Sequence, residues 1–535
     1  MTQSTRPRPT QNVFQQPQGN GMDHLSGSDA AFLHLESPET PMHVGGLAIL
    51  ELPADYSGDF MEDVRTHIQN RMHMAPIFQR KLINMPFDIA NPIWVMDEAI
   101  DIDYHIRHVI VPPPATRNTV DKLVARLHSS LLDRSRPLWE FHILDGLPVP
   151  ADLPKGTRYV GLYSKMHHAA LDGMGGQVLA EAIMDVSAIP RVANKRKRHR
   201  EAARGDNYGI AELTTSGVMH NISQSIKLTK NLPKLTSKAF DLFKTTKNPD
   251  GSNAKRMNWL APKTPLNTTI TNQRSFARFS IPYAESRKIA KLNNVSLNDV
   301  VMAISGEGMI RYFADEGFSV EDPMLAAVPV SVRPEGNTDL SNQVSMARMS
   351  LATDIKDPLE RLQAINASST HAKTLMSDVK SIIPTDFPSI GAPWLMSSLA
   401  SMLTRARVAN SLPPFANVLI SNVPGPNMTL YFAGAKQVST YPVSIPYHGM
   451  GLNITLQSYN GWLDFGVISC QKLMPDIHEL AQHMKNAHKE LLELTLKAHP
   501  EAPKEPKLVE VKTKESKPIE VKTKEPKPVE TAKTK

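Results

Sequence analysis

The chain holds one cysteine, Cys470, in 535 residues. That excludes an intrachain disulfide and a thiolate zinc cluster, and it fits a reducing compartment. No run of roughly 18 apolar residues occurs, so no membrane-spanning helix is expected. No secretory signal is legible either. Residues 1–21 are rich in Gln, Pro, Thr and Asn and read as a disordered leader. A G-x-S-x-G elbow is missing, and the glycines at Gly173–Gly176 are not followed by G-K-[ST]. A serine-hydrolase elbow and a phosphate loop are thereby set aside.

What is present is largely globular. Apolar residues make up 41% of the chain, enough for more than one core. The net charge of +7 is concentrated in Arg191–Arg204 and in the Lys-rich tail. Nucleic acid, anionic lipid headgroups and a solvated linker are the three readings of such runs. Nucleic acid lacks a recognition motif and interleaved aromatics. In the tail, Glu510–Ile519 (EVKTKESKPI) is repeated as Glu520–Val529 (EVKTKEPKPV), with prolines that no helix interior tolerates. The expected organisation is a leader at 1–21, a first globular block at 22–190, a basic connector with helices at 191–266, a second block at 267–499 and a disordered tail at 500–535.

Several elements can be placed locally. Thr157–Met166 alternates as a strand, and Gly176–Val186 reads as a helix. Ser296–Asp299 has capping-box form and opens a helix through about Phe313. Asn460-Gly461 between Asn453–Tyr459 and Trp462–Ser469 marks a tight hairpin. Helical patterning runs through Ile210–Phe243, in a connector expected to pack on one block or bridge both. Trp394–Leu403, followed by Arg405 and Arg407, is amphipathic, suiting an acyl channel, a lipid surface or a buried helix. Strands and helices interleave in both blocks, which makes the class mixed α and β.

The strand-to-helix loop carries the densest chemistry: Met166-His167-His168-Ala169-Ala170-Leu171-Asp172-Gly173-Met174-Gly175-Gly176. A neutral imidazole with an unperturbed pKa of about 6.5 can take a proton from a hydroxyl at neutral pH. Asp172 would orient a ring or hold the loop through an ion pair, and Gly173 allows close approach of backbone and substrate. A metal site is disfavoured, because adjacent histidines at a strand end point to opposite faces. A core histidine satisfied by backbone is the plainer alternative. Cys470 has no histidine beside it, so direct base-assisted transfer is favoured over an acyl-enzyme.

His167–Gly173 matches the HHxxxDG signature of the CoA-dependent acyltransferase superfamily. Five further segments narrow the match: Leu25–Gly46 (LSGSDAAFLHLESPETPMHVGG), Pro137–Leu147 (PLWEFHILDGL), Asn298–Ala303 (NDVVMA), Val328–Gly336 (VPVSVRPEG) and Ser421–Pro426 (SNVPGP). In this order they resemble the bacterial wax ester synthase/diacylglycerol acyltransferase family over about residues 22–495. The resemblance implies two chloramphenicol-acetyltransferase-like α/β lobes with the active site in a tunnel between them. It implies His168 as general base, with His167 and Asp172 shaping the site and Arg333 the candidate partner of Asp172. Asn298 is implicated in activity, near the reacting thioester, while an ordinary helix-start asparagine is the plainer reading. Trp139 and Glu140 are expected to pack or pair locally, and Ser421–Pro426 to serve fold and channel.

The function so implied is transfer of a long-chain acyl group from acyl-CoA, a co-substrate, to a fatty alcohol or diacylglycerol. No cofactor and no metal are implied. The expected setting is cytoplasmic, at the surface of the inner membrane or of lipid droplets. A condensation-type amide-forming domain and an inactive lipid-droplet scaffold are the rival readings.

Overall fold

The computed structural model describes residues 22–171, 175–192, 208–220, 222, 261–331, 344–380 and 413–500. In chain order the first block contains α1 (Gly27–Leu35), β1 (His43–Leu52), α2 (Phe60–Arg71), β2 (Arg80–Ile83), β3 (Ile93–Met96), α3 (Ile102–His105), β4 (Ile106–Ile110), α4 (Arg117–His128), β5 (Trp139–Asp145), β6 (Arg158–His167), α5 (Gly175–Ile183) and β7 (Met184–Asp185). The second contains β8 (Arg274–Pro282), α6 (Tyr283–Leu292), α7 (Leu297–Asp315), β9 (Leu325–Ser331), β10 (Val344–Ser350), α8 (Pro358–Lys380), β11 (Val418–Val423), β12 (Tyr431–Phe432), β13 (Ala435–Val443), β14 (Leu452–Tyr459), β15 (Trp462–Cys470) and α9 (Ile477–Ala498). The class is mixed α and β, in two lobes, as expected.

Among the described residues each lobe is built on one large sheet, with a two-stranded β2–β3 sheet beside the first. The first has seven strands in the order β4-β5-β6-β1-β13-β12-β7, and the second six in the order β10-β9-β11-β14-β15-β8. Two strands of the first sheet, β12 and β13, come from the second half of the chain. β13 lies antiparallel to β1, Gly45 opposite Val443 and Leu47 opposite Tyr441. The two halves are thus stitched through a shared sheet.

Local chemistry explains most boundaries. Asp59 caps α2 by accepting from the Met61 and Glu62 N–H groups, and Thr116 caps α4 through the Thr119 N–H. The Ser296/Asp299 capping box opens α7 in both directions, as its sequence predicts. α7 ends where Gly317 takes φ 70° and the Phe318 N–H reaches back to Phe313 O at 2.8 Å. Asn460 and Gly461 both sit at positive φ in the β14–β15 hairpin. The helix expected over Gly176–Val186 stops at Ile183, because Met184 and Asp185 pair with Phe432 and Tyr431 of β12. Here strand pairing overrides helical periodicity.

The second core is centred on α7, whose Val300, Val301, Met302, Ala303 and Ile304 are all buried between the sheet and the neighbouring helices. The described part of the connector, helical over 210–220, packs on the first block. Leu213 joins Met85, Ile93 and Val95, and Ser216 Oγ lies 3.0 Å from His24 Nε2. Trp394–Leu403 and most of Arg191–Arg204 lie outside the described residues.

Candidate active site

β6 runs antiparallel to β1 and brings His167 opposite His43 at the end of the ladder. The chain then leaves the sheet in a tight 3-10 turn over His168–Ala170, closed by the Leu171 N–H on His168 O at 3.2 Å. The His168 N–H donates to Met42 O at 2.8 Å, which ties the turn to the segment entering β1. Because successive side chains at a strand end diverge, the two histidines serve different surroundings.

His167 is fully buried. Its Nδ1 accepts the Ala169 N–H at 3.1 Å, so the ring proton sits on Nε2, 3.1 Å from Glu36 Oε2. The Glu36 carboxylate, 3% exposed, also accepts the Met42 N–H at 3.0 Å and two Arg134 N–H groups at 2.7 and 3.0 Å. Burial alone would raise this carboxyl. The hydrogen bond from His167, the Arg134 guanidinium and the Met42 N–H outweigh burial and hold it at about 2.

His168 is partly buried under α1. Its ring stacks on Phe32, centroids 3.9 Å apart and planes 14° from parallel. Nδ1 is closed off from solvent beside the residue's own carbonyl, short of a well-formed hydrogen bond. Burial pulls the imidazole down to about 4, against that carbonyl and with a smaller contribution from His167. It is therefore neutral near pH 7, able to accept a proton at Nε2.

Asn298 occupies the first turn of α7. Its Oδ1 accepts from Asn422 Nδ2 at 2.6 Å, an Asn of β11 within Ser421–Pro426. With Oδ1 engaged, its amide N–H groups and the free N–H groups of the helix start are the donors this position offers. No hydrogen bond or ring contact joins Asn298 to either histidine. Asp172, Gly173 and Arg333 lie outside the described residues.

Trp139 and Glu140 pack and pair locally. Trp139 stacks on His105 at 4.3 Å, and Glu140 receives Lys165 Nζ at 3.0 Å on the adjacent strand. Among the described residues no group of three His, Cys, Asp or Glu side chains is placed to hold a metal, and no helix is long and apolar enough to cross a membrane.

Sequence reasoning missed Glu36, Phe32, Arg134 and Asn422. Glu36 and Phe32 lie inside Leu25–Gly46, and Asn422 inside Ser421–Pro426. A carboxylate closing a short helix ahead of a strand was the available signal for Glu36, but only the fold supplies its partner 131 residues away.

The chain matches two family models: the wax ester synthase/diacylglycerol acyltransferase catalytic domain over residues 25–301 and the corresponding C-terminal domain over 340–492. A provisionally named diacylglycerol O-acyltransferase of Mycobacterium tuberculosis is 33% identical over 480 residues, 87% of this chain and 99% of that protein. The O-acyltransferase WSD of Acinetobacter baylyi is 31% identical over 471 residues, covering 87% and 96%. A solved wax ester synthase/diacylglycerol acyltransferase from Marinobacter aquaeolei VT8 superposes with a TM-score of 0.62 at 26% identity, covering 88% of this chain and 99% of that one.

Proposed function

The chain belongs to the wax ester synthase/diacylglycerol acyltransferase family, and from that premise we propose that it moves a long-chain acyl group from acyl-CoA to the hydroxyl of a fatty alcohol or a diacylglycerol. The observation that carries the reading is the setting of His168, an imidazole fixed on a strand-end turn against Phe32 with Nδ1 closed off.

The acceptor O–H gives its proton to His168 Nε2 as its oxygen attacks the thioester carbonyl. The tetrahedral oxyanion is stabilised by N–H donors, for which Asn298 and the start of α7 are the candidates. As the C–S bond breaks, the imidazolium returns the proton to the CoA thiolate, leaving an ester and free CoA. General-base work of this kind contributes typically 10²–10⁴-fold. Asp172, with Arg333 its candidate partner, and Gly173 are assigned to shaping the loop. Greasy substrates and the basic runs support a membrane or lipid-droplet surface, on the cytoplasmic side, as the setting of the reaction.

Purified chain would be given labelled palmitoyl-CoA with hexadecanol or with dipalmitoylglycerol, beside His168→Ala, and the lipids resolved by thin-layer chromatography. Wax ester or triacylglycerol is expected from the unaltered chain, with a loss of at least about 10²-fold in the variant. Equal turnover by the variant would remove His168 from the role. Acyl-CoA binding without either product would refute the acceptor.

A further inference from the structure

We propose that Glu36 is a positioning residue of the transfer reaction, holding the His168 turn by two tethers that converge on its carboxylate. This rests on the reading of His168 as the base.

The first tether runs through Met42. Its N–H donates to Glu36 Oε2 at 3.0 Å, and its carbonyl accepts the His168 N–H at 2.8 Å. The second runs through His167, whose Nε2 lies 3.1 Å from the same oxygen and whose Nδ1 accepts the Ala169 N–H at 3.1 Å. Two successive N–H groups of the turn, those of His168 and Ala169, are therefore reached from one oxygen atom. The second tether works only in one tautomer, because Nδ1 must be bare to accept. An acceptor at Nε2 enforces that tautomer, and Glu36 is that acceptor.

The carboxylate is itself fixed. Arg134 grips Oε1 with two N–H groups and also donates to Leu33 O at 2.8 Å, so the clamp spans both residues at the end of α1. The same helix supplies Phe32, which sets the plane of the His168 ring. A base must stand within hydrogen-bond reach of the hydroxyl it serves, and misplacement by about 1 Å can cost about 10²-fold. A carboxylate that never touches substrate thus governs where Nε2 stands.

Glutamine at position 36 keeps the size but turns one acceptor into a donor, facing groups that themselves donate. The test is a double-mutant cycle on the full chain with palmitoyl-CoA and whichever acceptor is turned over: wild type, Glu36→Gln, His168→Ala and the double variant, with thermal midpoints alongside. Glu36→Gln is expected to lower kcat by about 10–100-fold, with KM for acyl-CoA within about twofold. Added to His168→Ala it should cost less than about twofold, since two residues acting through one group are not additive. Arg134→Gln, at a partly exposed site, should act in the same direction with a smaller loss, and it serves if Glu36→Gln does not fold. Where His168→Ala is too slow to be a background, the pH profile decides: the acid limb of kcat should move upward in Glu36→Gln as the loosened ring is hydrated. Unchanged kcat, a loss confined to KM, an equal loss in both backgrounds or an unmoved acid limb would each overturn the proposal. Full activity of His168→Ala would instead show that the base assignment had failed.

Discussion

Phe32 lies face to face with His168, ring centroids 3.9 Å apart and planes 14° from parallel. Phe32 keeps water from one face of the imidazole, and burial of the ring, which penalises its cation, holds His168 at about 4. In the proposed role the base must be neutral, so activity should fall as pH drops through that value. The acid limb of kcat/KM is expected near pH 4, well below the free-imidazole value of about 6.5. Phe32→Ala opens the face to solvent and should raise the limb toward 6.5. Superimposable acid limbs for the two proteins, followed by CoA release, would count against the stacking argument.

Glu36 makes a separate prediction about stability. Its folded value of about 2 lies below the ordinary 4.5. A depressed carboxyl contributes stability that is fully present above 4.5 and is lost as pH falls toward 2. The shift corresponds to about 3 kcal/mol. Denaturant unfolding at a series of pH values should therefore show wild type losing stability faster than Glu36→Gln between pH 4.5 and 2. Parallel curves would contradict the assignment. Subtracting the variant removes the other carboxylates from the comparison.

What was legible in the sequence was local. The Ser296–Asp299 box, the Asn460-Gly461 turn and the strand ending in His167 are each specified by side chains within a few residues of one another, and each stands within two residues of its expected place. The place of His168, on a tight turn at the end of that strand, was legible because His167–Gly173 is a dense local signature. The rest depends on separations a sequence pattern does not encode. Glu36 meets His167 across 131 residues, Asn298 meets Asn422 across 124, and β13 enters the first sheet from the far half of the chain. None of these leaves a periodicity, and a buried carboxylate reads in sequence like any surface glutamate.

The two halves are also joined by a buried ion pair. Arg278 of β8 donates through Nε to Asp121 of α4 at 2.6 Å, the side chains 7% and 0% exposed, and its guanidinium lies over the Tyr441 ring at 5.0 Å. Removing one partner leaves a buried charge unmatched. Arg278→Ala should destabilise the chain by about 3–5 kcal/mol. Replacing both residues with leucine should recover part of that loss, since it is the orphaned charge that costs most. Unfolding midpoints of the three variants check the order. A single variant no worse than the double one would show the pair to be dispensable.

Two glycines of the β14–β15 hairpin separate space from backbone strain. Gly466 of β15 faces β13 where the two sheets meet, and a Cβ there would fall 1.7 Å from Pro442 O and 2.8 Å from its carbonyl carbon. Both obstacles are backbone in a paired strand, so neither can swing aside as a side-chain tip would. Gly461 sits in the turn at φ 85° with nothing within 4 Å of its Cβ position. There alanine meets only the left-handed backbone penalty, roughly 1–2 kcal/mol. Gly466→Ala must instead push two sheets apart, giving up the contacts of both lobes along that seam. Overpacking costs typically about 1–3 kcal/mol where neighbours can yield, and these cannot, so Gly466→Ala should exceed Gly461→Ala in loss of thermal midpoint. The Asp464 bridge, which accepts the Thr440 N–H at 2.9 Å and the Ser280 hydroxyl at 2.6 Å, lies beside the displaced strand and should be broken with it. If Gly466→Ala unfolds at or above the midpoint of Gly461→Ala, the sheets are not held at that contact and the seam is looser than the structure describes.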